Sequence, residues 1–160
     1  NSGNRKRIRK CINQGLEFKE LIFKEYKKAY QIIELNRKRN CFKLSMNWAQ
    51  ISEMIEIFGD KFIFFALFDN EKMVSSAICI KVNPKILYVF YWGEIEGFEK
   101  LSPVSYLSTR IVGYCIKNKI DILDLGTSSL KSIPNLGLIN FKRAIGARSC
   151  NKIKLKKTEI

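Results

Sequence analysis

Residues 62–92, FIFFALFDNEKMVSSAICIKVNPKILYVFYW, contain three apolar runs separated by two short polar stretches. The first run, 62–68, is apolar at every position, which is typical of a central strand covered on both faces. The polar stretches 69–72 and 83–85 favour turns. The third run is rich in β-branched and aromatic residues. We therefore predict an antiparallel meander of three strands, 62–68, 73–82 and 86–92.

Helices and strands alternate on either side of the meander. Before it, hydrophobic periodicity predicts one strand at 16–23 and three helices, at 4–13, 25–39 and 45–58. After it, the pattern predicts four further elements: helix 103–118, strand 120–125, helix 133–145 and strand 149–155. Pro103 suits the first position of a helix with Ser102 as its N-cap, and Gly93 is expected to end the preceding strand. A meander that passes into a β-α-β unit predicts an α/β fold, with a mixed sheet and helices on both faces.

The length and composition are those of one globular domain, residues 1–160. Hydrophobic residues make up 46% of the chain, which is too much for a disordered protein. The longest apolar run is far shorter than the roughly 20 residues of a membrane span, and the chain does not begin with a signal-peptide pattern. We expect no membrane span and a cytoplasmic protein. Because the sequence begins with Asn1 rather than Met, we expect a fragment of a longer protein.

The sequence has no histidine, which excludes several kinds of site. Ser-His-Asp and Cys-His nucleophiles and HExxH zinc sites all need that side chain. The five cysteines are odd in number and form no CxxC pair, so neither a disulfide framework nor a cysteine-only zinc site is expected. No metal site is predicted. Catalysis would have to use Lys, Asp, Glu, Tyr, Cys or backbone groups.

The formal net charge is +14, and a field of this sign attracts polyanions such as RNA, DNA, acidic lipids or a phosphorylated cofactor. A lysine-rich solubilising surface is the alternative explanation. The densest basic cluster lies at residues 5–10, where Arg5, Arg7 and Arg9 are candidate contacts for RNA phosphates. The alternative for them is a solvated helix face.

The C-terminal half contains an ordered set of segments that resembles a known family. These segments are YVFYWGEIEG (88–97), IDILDLGTSS (120–129) and NLGLINFKRAIGA (135–147). The order of elements is that of the GNAT acyltransferases, and the segments resemble the Fem-type branch, which includes aminoacyltransferases that build peptidoglycan cross-bridges. The matching residues are Tyr91, Asp124, Gly126, Gly137, Leu138, Phe141, Lys142 and Gly146. The resemblance covers nearly the whole chain. It implies acyl transfer to an amine acceptor, aminoacyl-tRNA as donor with tRNA as a partner, and a second GNAT-like unit upstream.

One segment departs from the usual GNAT pattern. Ordinary GNAT acetyltransferases carry a Q/R-x-x-G-x-G/A loop that cradles the coenzyme A pyrophosphate at a helix N-terminus. Here the corresponding segment, GEIEGFEKLSP (93–103), has glycines only at 93 and 97 and contains three glutamates. Negative charge there repels phosphate, so acetyl-CoA bound in the usual way is not expected. Acetyl-CoA or another acyl-CoA is the alternative donor.

Four residues are candidates for the chemistry of acyl transfer, which needs an oriented amine, a base and oxyanion donors. The resemblance supports Lys142 as the group that binds the oxyanion or a phosphate of the acyl carrier. Phe141 precedes it and is a candidate for stacking on a terminal base. Tyr91, near a strand end, would donate a proton or hold the acceptor, and Glu94 is the nearest candidate base. The alternatives are a surface lysine, a core phenylalanine, a sheet aromatic and a solvated loop glutamate.

Asp124, Gly126 and Thr127 are the remaining substrate-binding candidates. The alternative for Asp124 is to accept the N–H of Thr127 or Ser128 and shape the loop. The site hypothesis requires the segment 135–146 to fold back beside the strand that carries Tyr91, so that its lysine faces an open crevice.

Three functions follow. The first is an acyltransferase that moves an aminoacyl or other acyl group onto an amine. The second is a non-catalytic GNAT-fold module that binds RNA or an acidic partner. The third is an acetyl-CoA-dependent N-acetyltransferase of small molecules.

Overall fold

The computed structural model describes residues 2–130 and 133–151, and the chain divides into two compact units, Asn1–Gly126 and Thr127–Ile160. The first unit contains four helices and five strands. The helices are α1 (Ser2–Asn13), α2 (Tyr26–Arg39), α3 (Trp48–Phe58) and α4 (Pro103–Lys117). The strands are β1 (Glu17–Glu20), β2 (Phe62–Asp69), β3 (Lys72–Asn83), β4 (Ile86–Glu94) and β5 (Ile122–Asp124).

The five strands form one mixed sheet in the order β1-β2-β3-β4-β5. The pairs from β1 to β4 are antiparallel, which confirms the predicted meander. Strand β5 pairs with β4 in parallel, as expected of the crossover through α4. The predicted α/β class with a mixed sheet is therefore confirmed.

Each face of the sheet has its own hydrophobic core. Cys11 of α1 and Leu107 of α4 pack with Phe65 on one face. Ile33 of α2 and Ile51 of α3 pack with residues on the other. Strand β2 lies between the two cores, and its residues from 62 to 68 are all buried. Helices cover both faces, as the uninterrupted apolar run predicted.

Strand β4 is longer and less regular than predicted. Ile78 of β3 pairs with Tyr91 while Cys79 pairs with Val89, so Phe90 is an extra residue in a β-bulge. The prediction that Gly93 ends the strand is wrong, because β4 runs on to Glu94. A Cβ on Gly93 would lie 2.9 Å from the Cα of Ile33. The glycine therefore allows α2 to approach the strand closely, which a strand-ending turn signal does not reveal.

Helix α4 begins at Pro103 as predicted, but its cap differs. Ser102 has a left-handed backbone (φ 54°) and makes no side-chain capping bond. The Glu94 carboxylate accepts a hydrogen bond from the Val104 backbone N–H at 3.2 Å instead. The predicted Ser102 cap is wrong because a side chain nine residues before the helix reaches its N-terminus.

The second unit contains a two-stranded sheet of β6 (Ser129–Leu130) and β7 (Ile133–Pro134), followed by α5 (Leu136–Ala144). Asn135 caps α5 by accepting the Leu138 N–H at 3.0 Å. The helix predicted for 133–145 is therefore confirmed in its main part. The strand predicted for 149–155 lies for its greater part outside the described residues. Among the helices that the structure describes, none is long and apolar enough to cross a membrane.

Candidate active site at the end of strand β4

Tyr91 lies in β4, with 8% of its surface exposed. Its hydroxyl contacts Ser45 Oγ at hydrogen-bonding distance and accepts the Met46 N–H at 3.2 Å. These two residues belong to the segment between α2 and α3. Tyr91 therefore ties that segment to the sheet.

The end of β4 is held by the last turns of α2. Asn36 Nδ2 donates to the Glu94 carbonyl at 3.1 Å, and Arg39 Nη2 donates to the same oxygen at 3.4 Å. Arg39 also forms an ion pair with Glu99 at 3.4 Å. The close approach at Gly93 brings these polar side chains of α2 to the strand end.

The Glu94 carboxylate is half-buried, so it is not the solvated loop glutamate of the alternative interpretation. Burial raises its pKa above the ordinary value. The hydrogen bond from Val104 N–H opposes that rise, as do the charges of Arg39 and Arg7. A carboxylate whose charged form is disfavoured in this way is a stronger base than an exposed one.

Asp124 and Gly126 form the turn that follows β5. Asp124 Oδ1 accepts the Gly126 N–H at 2.7 Å, one residue earlier than the expected Thr127. Gly126 has a left-handed backbone (φ 74°), and a Cβ there would lie 3.2 Å from the Tyr88 ring. The pairing between β4 and β5 covers Ile86 to Tyr88, whereas β4 runs on to Glu94. The pairing of β5 with β4 thus ends before the bulge at Phe90.

Lys142 is buried in the second unit, so it is not a surface lysine. Its Nζ donates to the Thr127 carbonyl at 2.9 Å, which joins α5 to the start of the unit. Phe141, the preceding residue, is half-buried. The structure thus brings together Lys142 and Thr127, two of the predicted site residues. The position of Lys142 relative to Tyr91 stays a prediction.

The three predicted RNA contacts, Arg5, Arg7 and Arg9, are exposed on α1. Arg7 is close enough for its charge to lower the pKa of Glu94. It therefore belongs to the surroundings of the β4 end as well as to the basic face of α1.

Sequence reasoning missed the C-terminal turn of α2. Asn36 and Arg39 bond to the end of β4, and both belong to the run NRKRN (36–40), which has three basic residues in five. The sequence signal for this turn was a dense polar run directly after a helical apolar stripe. That these side chains reach the sheet depends on the close approach at Gly93, which periodicity does not reveal.

Comparison with known proteins decides the fold. Neither a protein-family model nor a curated protein sequence matches the chain. Solved structures match over most of its length. A possible acetyltransferase from Clostridium difficile 630 superposes with a TM-score of 0.69 and 13% identity, covering 91% of this chain and 98% of that one. The chain has a GNAT acetyltransferase fold.

Two further GNAT neighbours differ in size. AAC(6')-Iy, in complex with the bisubstrate analogue CoA-S-monomethyl-acetylneamine, has a TM-score of 0.65 at 9% identity, over 91% of this chain and 99% of that one. FemX has a TM-score of 0.74 at 11% identity, over 89% of this chain. The present chain spans about half of FemX, 53% of its length. At such identities the likeness establishes the GNAT fold and leaves the branch open.

Proposed function

We propose that this chain is an acyltransferase unit that transfers an acyl group from an acyl-CoA to an amine. The observation that carries the proposal is Glu94. This half-buried carboxylate with a raised pKa lies at the end of β4, four residues after the bulged Phe90. The solved structures that share the fold are predominantly acetyltransferases, which supports the reaction class.

The proposed chemistry uses a backbone group and a carboxylate. The amine nitrogen attacks the thioester carbonyl, a C–N bond forms and the C–S bond breaks. Glu94 accepts the amine proton and passes it to the departing thiolate, so that a free thiol leaves and the carboxylate is restored. The N–H of the bulged Phe90 would stabilise the oxyanion, because a bulge re-aims backbone groups and often lies beside an active site. Tyr91 would position the acceptor through Ser45 and Met46.

The donor is proposed to be an acyl-CoA, because one GNAT neighbour binds a bisubstrate analogue that contains coenzyme A. Its pyrophosphate would need a different cradle from the first turn of α4. Pro103 has no N–H, the Val104 N–H is bonded to Glu94, and the Ser105 N–H is bonded to the Ser102 carbonyl at 2.9 Å. Under the Fem-type hypothesis, aminoacyl-tRNA is the donor. The same hypothesis places a second GNAT-like unit upstream.

Substitution of Lys142 tests whether the second unit takes part in the reaction. We propose that it stabilises the oxyanion or binds a phosphate of the donor. Acyl transfer to a panel of primary amines would be measured for the full-length protein, for Lys142→Met and for Arg143→Met. Lys142→Met should lower kcat/KM by about tenfold or more, while Arg143, an exposed neighbour, should tolerate the change. Equal activity in both variants would remove Lys142 from the mechanism.

A second candidate function is a non-catalytic module that binds RNA or an acidic partner. It is favoured by the net charge of +14 and by the exposed arginines of α1. Binding of this kind weakens steeply with salt. A fluorescence titration of single-stranded RNA at rising salt tests it, with Arg5→Gln and Arg9→Gln in one variant. Absence of affinity at low salt would reject the module hypothesis and leave the acyltransferase hypothesis intact.

A further inference from the structure

The geometry points to a binding pocket for a carboxylate at the C-terminal end of α2, with Arg37 as its cation. We propose that this pocket binds the carboxylate of a small amine that also carries an apolar group. That this ligand is the acyl acceptor rests on the proposed function, whereas its binding to the pocket is independent of that function.

The pocket lies between α2 and the segment that leads to α3, entirely within the first unit. Its volume is about 320 Å³, at the lower end of the range for small-molecule sites. Apolar or aromatic side chains form one part of the wall, and charged side chains form the other. The apolar group consists of Tyr30, Phe42, Leu44 and Met46, and the charged group of Glu34, Arg37, Lys38 and Lys43.

Arg37 is the most informative residue of this pocket. Its Nε atom is buried and has no hydrogen-bond partner among the residues that the structure describes. Buried polar atoms of proteins are nearly always bonded, so an exception calls for a specific explanation such as an absent ion or ligand. Burial also lowers the pKa of the guanidinium, which remains charged at neutral pH. An anion bound at the guanidinium would compensate its desolvated charge.

The neighbouring basic residues use their side chains differently. Arg39 donates to the Glu94 carbonyl and pairs with Glu99. Lys38 also lines the pocket, but its side chain is exposed. Arg37 is distinguished from both because its Nε is buried without a partner among the described residues.

The charge balance of the pocket selects against cationic ligands. Three cationic side chains face one carboxylate, that of Glu34, and Tyr30 Oη donates to it at 3.4 Å. A polycation such as an aminoglycoside would meet like charges there. A carboxylate or another small anion is favoured, and a planar carboxylate fits the planar guanidinium fork.

The pocket is mechanically joined to the candidate active site. Met46 lines the pocket and donates its N–H to the Tyr91 hydroxyl. An amine anchored by its carboxylate at Arg37, with its apolar group against Phe42 and Leu44, would therefore lie beside the segment that Tyr91 attaches to β4.

Calorimetric titration of the whole chain at low salt tests the pocket. The probes are L-leucine, L-leucinamide and inorganic phosphate. Leucine and leucinamide share the amine and the side chain and differ in the carboxylate. We expect leucine to bind about tenfold or more tightly than leucinamide, because a charge-assisted hydrogen bond is lost in the amide. Phosphate should bind more weakly than leucine.

Two variants of Arg37 and a matched control test whether this residue binds the carboxylate. Arg37→Gln should weaken leucine binding by about tenfold or more, whereas Lys28→Gln removes the same charge from an exposed position of α2 and should leave the binding unchanged. Arg37→Met should keep or raise the melting temperature, because it removes a buried donor without an acceptor. If Arg37→Gln did not fold, the comparison of leucine with leucinamide on the unaltered chain would decide the question.

Equal affinity for leucine and leucinamide would overturn the proposal, and so would leucine binding that survives Arg37→Gln. Binding of phosphate without leucine would also overturn it, since the anion would then not be a carboxylate. The acyltransferase hypothesis is tested separately: leucine binding that depends on Arg37, in a chain without acyl transfer to any amine, would reject the reaction and retain the pocket.

Discussion

At the residue scale, Glu94 has two roles that conflict electrostatically. Its carboxylate caps α4 through Val104, which favours the charged form, and its burial favours the neutral form. Because burial is the larger effect, the pKa is raised. The folded state therefore takes up a proton more readily than the unfolded chain near the ordinary pKa of Glu.

The raised pKa of Glu94 predicts how the stability of Glu94→Gln compares with that of the unaltered chain as the pH changes. The stability that Glu94 contributes is fully present below its ordinary pKa of 4.5 and is lost as the pH rises through the raised value. The variant has no such charge. Its melting temperature should match that of the unaltered chain at acidic pH and equal or exceed it at neutral pH.

Acyl transfer should respond to the same substitution in the opposite direction. A base must be deprotonated, so the activity of the unaltered protein should rise with pH through the raised pKa of Glu94. Glu94→Gln should lower kcat by about a hundredfold or more and flatten this profile. Glu96→Gln, in an exposed position of the same segment, is the control. An unchanged pH profile in Glu94→Gln would show that another group is the base.

Tyr91 is expected to act through the segment that it holds. Tyr91→Phe removes the hydroxyl contacts with Ser45 and Met46, and each lost hydrogen bond is worth about 1 kcal/mol. We expect Tyr91→Phe to lower the free energy of unfolding by about 1 to 2 kcal/mol in urea denaturation. The double variant with Ser45→Ala should lose less than the sum of the single losses, because the two residues share one bond. Strict additivity would contradict the contact.

The candidate site was predictable from sequence only in part. Glu94 was identified as the carboxylate nearest to the end of a predicted strand, and Tyr91 as a residue near that end that also matches the family resemblance. The capping role of Glu94 was missed, since Ser102 is a better cap by residue type and by position. Arg37 was missed altogether, because the burial of one nitrogen is a property of the packing and has no sequence signature.

At the element scale, the docking of α2 on the sheet depends on two small residues, Gly93 in β4 and Ser76 in β3. Gly93 leaves room for Ile33 and Asn36, and the buried Ser76 Oγ donates to the Ala29 carbonyl at 2.7 Å. These contacts place the C-terminal turn of α2 at the end of β4. The candidate active site therefore depends on the close approach of α2 to β4.

The glycines of the first unit offer a matched pair of substitutions. Gly93→Ala introduces a Cβ 3.0 Å from the Asn36 Cβ and 2.9 Å from the Ile33 Cα, so it should destabilise the chain by about 1 to 3 kcal/mol. Gly113→Ala, in the interior of α4, meets no atom within 4 Å and should stabilise by about 0.5 to 1 kcal/mol. Thermal denaturation measures both. Equal melting temperatures would contradict the proposed packing of α2.

Most elements were predictable because their patterns are local. The apolar run at 62–68 fixed the central strand, and Pro103 fixed the start of α4. The errors arose where distant residues decide the outcome. Gly93 resembled a strand end in sequence, but its neighbours are residues of α2 some sixty positions earlier.

At the scale of the whole molecule, the sheet and its two helical layers form a GNAT fold that many acetyltransferases share. A shared fold does not establish a reaction. The argument for acyl transfer therefore depends on the particular arrangement at the end of β4, and the argument for its acceptor depends on the pocket beside α2.

The central claim is acyl transfer from an acyl-CoA to an amine, and product analysis by mass spectrometry tests it most directly. The protein would be incubated with acetyl-CoA and a panel of primary amines that includes amino acids and aminoglycosides. We predict that at least one amine gains a single acetyl group, with release of an equal amount of free coenzyme A thiol, and that Glu94→Gln suppresses both. Absence of any acetylated amine and of coenzyme A binding at low salt would contradict the claim.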